Sequence, residues 1–105
     1  MKDFFKDYYK LDGKTVIPCN LLEWAEWLKN ADRTVKKTKI GEIKISTVFL
    51  GLDHNYSDEG PPLLFETLVF GGPLDGEMNR YWTSEQAEEG HREMVQSITN
   101  LMTRN

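Results

Sequence analysis

The sequence predicts a single α+β domain, residues 1–105: an antiparallel sheet of about five to six strands with two helices packed on one face, in the order β-β-α-β-β-β-β-α. Three observations carry that prediction. Two segments repeat apolar residues at helical spacing behind capping boxes, Asn20 with Glu23 and Thr83 with Gln86. Two Asp-Gly pairs, Asp12-Gly13 and Asp75-Gly76, mark hairpin turns. Between the helices the chain alternates, or runs apolar, over strand lengths.

Asp12-Gly13 separates "YYKL" from "KTVIP". A type I′ turn, with positive φ at both central positions, would join the two runs as a hairpin. Pro18 is expected to stop the second strand, since it has no amide to donate. Asn20 then offers its side-chain oxygen as N-cap and opens the helix "NLLEWAEWLKNAD". Leu21, Trp24, Ala25 and Leu28 form its apolar stripe, widened by Leu22 and Trp27.

From Arg33 to Lys44 the chain reads as a basic β-ribbon turning near Gly41, and its second arm continues into "EIKISTVFLGLD". Ile43, Ile45, Thr47 and Phe49 alternate there with Lys44, Ser46, Val48 and Leu50, so the strand should start half-exposed and end buried on both faces. "LLFETLVF" has the same two-sided character, with Leu63, Phe65, Thr67 and Val69 opposite Leu64, Glu66, Leu68 and Phe70. "GGPLDG" supplies a turn and "EMNRYW" the returning strand. In the last helix Ala87, His91, Met94, Ile98 and Leu101 form the stripe. Gly90 beside it costs the helix about 1 kcal/mol relative to alanine and leaves room for a close neighbour.

Two helices cover one face of a sheet, whereas strands apolar on both faces need cover on both. The second face is therefore expected to meet the initial hairpin with Phe4, Phe5, Tyr8 and Tyr9, a second subunit, or a ligand, and a homo-oligomer is the leading expectation.

A single cysteine, Cys19, excludes an intramolecular disulfide and a multi-cysteine metal cage, and suits a reducing compartment. The amino end "MKDFFKDYYK" lacks the continuous apolar core of a secretion signal, and no apolar run reaches membrane-spanning length. A cytoplasmic location with no membrane partner is expected. The net charge of −4 is uneven: residues 1–45 hold ten Lys/Arg against seven Asp/Glu, and residues 46–105 hold three against ten. Opposite signs on the two halves can steer a protein partner or favour head-to-tail association, and equally keep the surface soluble.

Few residues suggest chemistry. The loop with Asp53, His54, Asp58 and Glu59 has metal-binding and acid–base side chains but no metal-loop spacing, which leaves a solvated turn or a contact loop. Glu66 lies on an otherwise apolar strand face and needs a partner; the Asp75-Gly76 hairpin would bring Arg80 beside it, as a structural pair or as part of a pocket. His91, on the helix stripe, reads as a partly buried histidine bonded to one group. "FGGPLDG" could cradle an anion but is explained by turn chemistry. Arg33, Lys36, Lys37, Lys39 and Lys44 could track phosphates, yet lysine also protects sheet edges and the chain is acidic, so nucleic acid is not the favoured partner. Cys19 precedes a helix N-terminus without a histidine partner, which favours a small buried residue over a reactive thiolate.

"YYKLDGKTVIPCNLLEWAEWL", "ISTVFLGLDHN", "PPLLFETLVFGGPLDG" and "RYWTSEQAEEGH" together resemble small accessory proteins encoded by tailed phages and prophages. The resemblance implies a setting, the cytoplasm of an infected bacterium, and brings no activity, cofactor or catalytic residue with it. Such proteins often act by binding. The expected function is thus non-enzymatic, counter-defence inhibition of a host protein or complex. One alternative is an oligomeric sponge for a nucleotide-like signal, with Asp53, His54, Glu66, Arg80, Tyr81 and Trp82 lining its pocket; the other is a small metal-dependent or hydrolytic enzyme. No cofactor is expected.

Overall fold

A computed structural model describes residues 8–57 and 59–103. Phe4, Phe5 and Asp58 lie outside the described residues. The elements follow the expected order: β1 (Tyr8–Asp12), β2 (Thr15–Cys19), α1 (Leu21–Leu28), β3 (Thr34–Ile40), β4 (Ile43–Phe49), β5 (Phe65–Phe70), β6 (Met78–Tyr81) and α2 (Ser84–Thr103). The six strands divide into a four-stranded antiparallel meander, β3-β4-β5-β6, and a separate β1-β2 ribbon. A bridge from Tyr8 to Leu52 and the Tyr9 amide on the Gly51 carbonyl at 2.9 Å tie the ribbon to the end of the meander.

The first hairpin turns on Gly13 and Lys14, because Asp12 pairs with Thr15. Gly13 has φ of +63° and among the described residues no non-glycine residue has positive φ, the sign pattern of a type II′ rather than a type I′ turn. Pro18 does not stop β2: it pairs with Tyr9 inside the strand, which a ribbon of two edge strands allows. Both capping boxes form. The Asn20 side chain accepts from the Glu23 amide at 2.9 Å and Glu23 accepts from the Asn20 amide; Thr83 and Gln86 repeat the exchange at α2.

Burial on β4 alternates strictly, with Ile43, Ile45, Thr47 and Phe49 inside and the intervening residues partly or fully exposed, and β5 buries Phe65, Thr67 and Val69. Only one face of the meander is therefore buried, against the expectation of two-sided burial. α2 packs on that face through Ala87, His91, Met94 and Ile98, while Leu101 is exposed. α1 lies on the same side and is shorter than its sequence pattern. Trp27 meets Phe49 edge-on at 5.6 Å and Trp24 meets Tyr8 at 5.3 Å, but Leu21 and Leu22 are exposed, so the working stripe is Trp24, Trp27 and Leu28. Leu64, expected on the opposite face, precedes β5 and is fully buried beside Phe49, Phe65 and Ala87.

The core has two apolar clusters. Ile43, Ile45, Val69, Met94 and Ile98 fill one end; Phe49, Leu64, Phe65 and Ala87 fill the other, closed over by Tyr9, Leu11 and Val16 of the ribbon and by Trp27, Val35 and Tyr81. The described part of the ribbon thus caps the α2 side and does not cover the second sheet face.

Gly90 is required by packing. A Cβ there would lie 2.2–2.3 Å from the Tyr81 ring, which crosses the helix at that turn. Gly90→Ala should destabilise the fold by about 1–3 kcal/mol in urea denaturation, because overpacking outweighs the roughly 1 kcal/mol gained in helix propensity. A stabilised variant would show that the ring does not sit there.

Candidate functional site

Three places bring polar side chains together: a chain of hydrogen bonds inside the core, a groove at its margin, and the open face of the sheet.

The internal chain separates the two apolar clusters. Thr47 and Thr67 are fully buried, cross-strand neighbours, and their hydroxyls lie 2.5 Å apart. Thr47 Oγ1 is 2.7 Å from His91 Nδ1, and His91 Nε2 is 2.8 Å from Thr38 Oγ1. Tyr81 donates its hydroxyl to Thr67 Oγ1 at 3.2 Å. Thr67 keeps its own proton while accepting from Tyr81; if it gives that proton to Thr47, Thr47 donates to Nδ1 and the Nε2 proton goes to Thr38, whereas the other His91 tautomer reverses the last three contacts. β3, β4, β5, β6 and α2 each supply one member. Sequence reading gave His91 one partner; the structure gives it two threonines, which an apolar/polar strand pattern records only as weakly polar positions.

Burial, with a smaller contribution from the Lys36 ammonium, holds the His91 pKa below the usual histidine value.

A groove of about 390 Å³ opens between β3 and α2, lined by Val35, Lys36, Thr38, Glu88, His91, Arg92 and Val95. A register shift between Thr34 and Lys36 marks a β-bulge, and it brings Val35 and Lys36, consecutive residues, to the same side. Glu88 is paired with Lys14 at 2.8 Å and Arg92 with Glu89.

On the opposite face the β5-β6 hairpin places Glu66 across from Arg80, with Arg80 Nε 3.1 Å from Glu66 Oε2. Both side chains are largely covered. Val48, Leu68, Phe70 and Met78 surround them, and Phe70 and Met78 are each 44% exposed. Lys44 pairs with Phe70 and its ammonium lies 5.2 Å from the ring; Lys37 and Lys39 pair with Ser46 and Lys44 and so share this face.

The six residues singled out in sequence do not converge. Glu66 and Arg80 are on the open face, whereas Tyr81 points to α2 and Gly90. Trp82 is exposed beside the β1-β2 turn, near Lys14 and Thr15. Asp53 and His54 brace their own loop: Asp53 Oδ1 accepts from the amides of Asn55 and Leu63, His54 Nδ1 meets the Leu52 carbonyl at 2.9 Å, and the His54 amide donates to Leu63. At Cys19, burial first and Glu23 second push the thiol pKa up, the reverse of an activated thiolate. Among the described residues no three His, Cys, Asp or Glu side chains are grouped so as to hold a metal ion, and no helix is long and apolar enough to cross a membrane.

Comparison of the chain with protein-family models, curated proteins and solved structures gives no match.

The lowered His91 pKa makes stability pH-dependent. The unfolded chain takes up a proton near pH 6.5 and the folded chain resists it, so stability is complete above that value and lost as pH falls through it. Urea midpoints should drop between pH 7.5 and pH 5.5, and His91→Gln, less stable overall, should flatten that slope. An unchanged slope in the variant would assign the dependence to other groups.

Proposed function

We propose that the protein is a non-enzymatic binding protein that inhibits a host protein, docking through the open face of its four-stranded sheet. The observation that carries this reading is the character of that face. Apolar Val48, Leu68, Phe70 and Met78 surround a self-neutralised Glu66–Arg80 pair, and Lys37, Lys39 and Lys44 border them. A chain of net charge −4 thus concentrates cations around an apolar centre on one side. The complementary partner is a protein surface with an apolar core and an acidic rim. The setting, a phage-infected bacterium and its defences, rests on the resemblance of the sequence to phage accessory proteins.

A homo-oligomer is the competing occupant, expected because a bare apolar sheet face calls for cover. Two copies meeting face to face would oppose their lysines, which counts against that arrangement. A sponge for a nucleotide-like molecule draws on a different observation, the groove between β3 and α2, whose lining offers cations, a hydroxyl and the His91 imidazole but no phenylalanine, tyrosine or tryptophan ring for a base.

The test is affinity capture from a bacterial host extract with three baits: the wild type, a variant with Lys37, Lys39 and Lys44 each changed to Glu, and one with Glu85 and Glu89 each changed to Lys. A protein held by the first and third baits, lost by the second and released by salt, is the expected result. Loss only with the third bait would move the interface to α2, and equal retention on all three would overturn docking through either charged surface. If native mass spectrometry shows a dimer that Phe70→Asp dissociates, the face belongs to a second copy and the inhibitor reading fails.

A further inference from the structure

The groove between β3 and α2 lies on the other side of the sheet from the proposed docking face, and its chemistry is separate. The bulge at Val35 is the first indication that it is built. Regular alternation would put Val35 and Lys36 on opposite faces, and the extra residue brings both to the α2 side. Lys36 has no ion-pair or hydrogen-bond partner among the described residues, whereas the neighbouring Glu88 is engaged by Lys14.

The internal hydrogen-bond chain supplies a second indication. It runs from Tyr81 through Thr67, Thr47 and His91 to Thr38, which lines the groove. In the tautomer with the proton on Nε2, Thr38 accepts from His91 and its own hydroxyl proton is left to donate outward. A hydroxyl that accepts at one end of an aligned chain is a better donor at the other. The groove therefore presents a hydroxyl donor, the Lys36 ammonium and the exposed Arg92 guanidinium, with Val35 and Val95 beside them.

We propose that this groove binds a small organic anion, a carboxylate or phosphate monoester with a compact apolar group. Lys36 and Arg92 meet its charge, the Thr38 hydroxyl donates to it, and Val35 and Val95 flank its apolar end. The volume, about 390 Å³, suits such a molecule. Arg92 exchanges its exposed contact with Glu89 for the ligand, a small loss because surface ion pairs contribute little.

His91 reports occupancy. The charged and titratable groups around it are Lys36 from β3, Glu88 and Arg92 from its own helix, and Tyr81 at the far end of the chain from β6; β4 and β5 present threonines. An anion over Lys36 offsets the field that disfavours the imidazolium. The His91 pKa then rises on binding, and a carboxylate, which keeps its charge between pH 7 and pH 6, binds more strongly as pH falls through that window.

Phenyl phosphate is the probe, titrated against the intact protein while the Val35 and Val95 methyls and the His91 imidazole are followed by NMR. Saturable shifts at all three residues are expected, with benzyl alcohol giving none. Inorganic phosphate should bind at least about tenfold more weakly, and Lys36→Gln should weaken phenyl phosphate about tenfold, the effect of losing one charge-assisted contact. Lys37→Gln, one residue along on the open face, should change nothing, which keeps this result distinct from that of the docking face. Inorganic phosphate binding as tightly would mean an adventitious ion only. Equal shifts with benzyl alcohol, indifference to Lys36→Gln, or no saturation by about 10 mM would each overturn the proposal.

Discussion

The contact on which the rest of the structure depends is the hydrogen-bonded pair of buried threonines, Thr47 and Thr67, beneath His91. A buried polar group left without a partner costs about 1–3 kcal/mol, and here five side chains from five elements satisfy one another in sequence. The arrangement is unforgiving of register. A one-residue slip of β4 would carry Thr47 to the open face and take the partner from His91 Nδ1, and a slip of β5 would carry Thr67 away from Thr47 and Tyr81. Apolar packing alone would accept several alignments of two Ile/Val/Phe-rich strands. The polar layer rejects all but one, and α2 is fixed along its axis by the same contact.

With the α2 side so completely specified, the other side of the meander is free to differ. Its residues alternate with the core positions, so their identities are constrained only by sheet pairing and by whatever they meet in solution. Among the described residues the Glu66–Arg80 ion pair and the Lys44–Phe70 contact are the local interactions there, and the ion pair neutralises itself. What remains is lysine around apolar surface. The covering elements could not have served both faces: α1 is held near β1, and the ribbon is fastened by its hydrogen bond to Gly51 beside Trp24 and Phe49.

Features governed by adjacent residues were legible in the sequence. Both capping boxes, the turn at Gly41 and the Glu66–Arg80 register behind Asp75-Gly76 follow from local rules and hold in the structure; at Gly90 the sequence indicated room for a close neighbour, and the structure supplies the Tyr81 ring. Features that need a partner from elsewhere in the chain were not. "STVFLGLD" and "LLFETLVF" look apolar on both faces, because hydrophobicity does not say which apolar residues find cover. Leu64 does so by leaving strand geometry, while Val48 and Leu68 remain half-covered. The two threonines were invisible as a site because threonine is an ordinary strand residue. Asp53 and His54 drew attention by residue type, and their side chains prove to be committed to the backbone of their own loop.

β3 ties the separate surfaces together. It is an edge strand of seven residues with lysine at three positions, and lysine on an edge discourages pairing with other chains. Edge protection does not require the bulge at Val35, nor does it require Lys36 to leave the open face. Regular alternation from Lys36 onward lets one strand address two environments, with Lys37 and Lys39 bordering the sheet face and Lys36 with Thr38 bordering the groove beside His91, and the bulge adds Val35 to the groove side. An anion held between Lys36 and Arg92 would pin this edge strand to α2. It would also draw Lys36 further to the α2 side, leaving Lys37 and Lys39 as the cations on the face beyond. A small ligand and a large partner would then act on one strand from opposite sides, and any coupling between them would pass through the backbone of β3 rather than through the core.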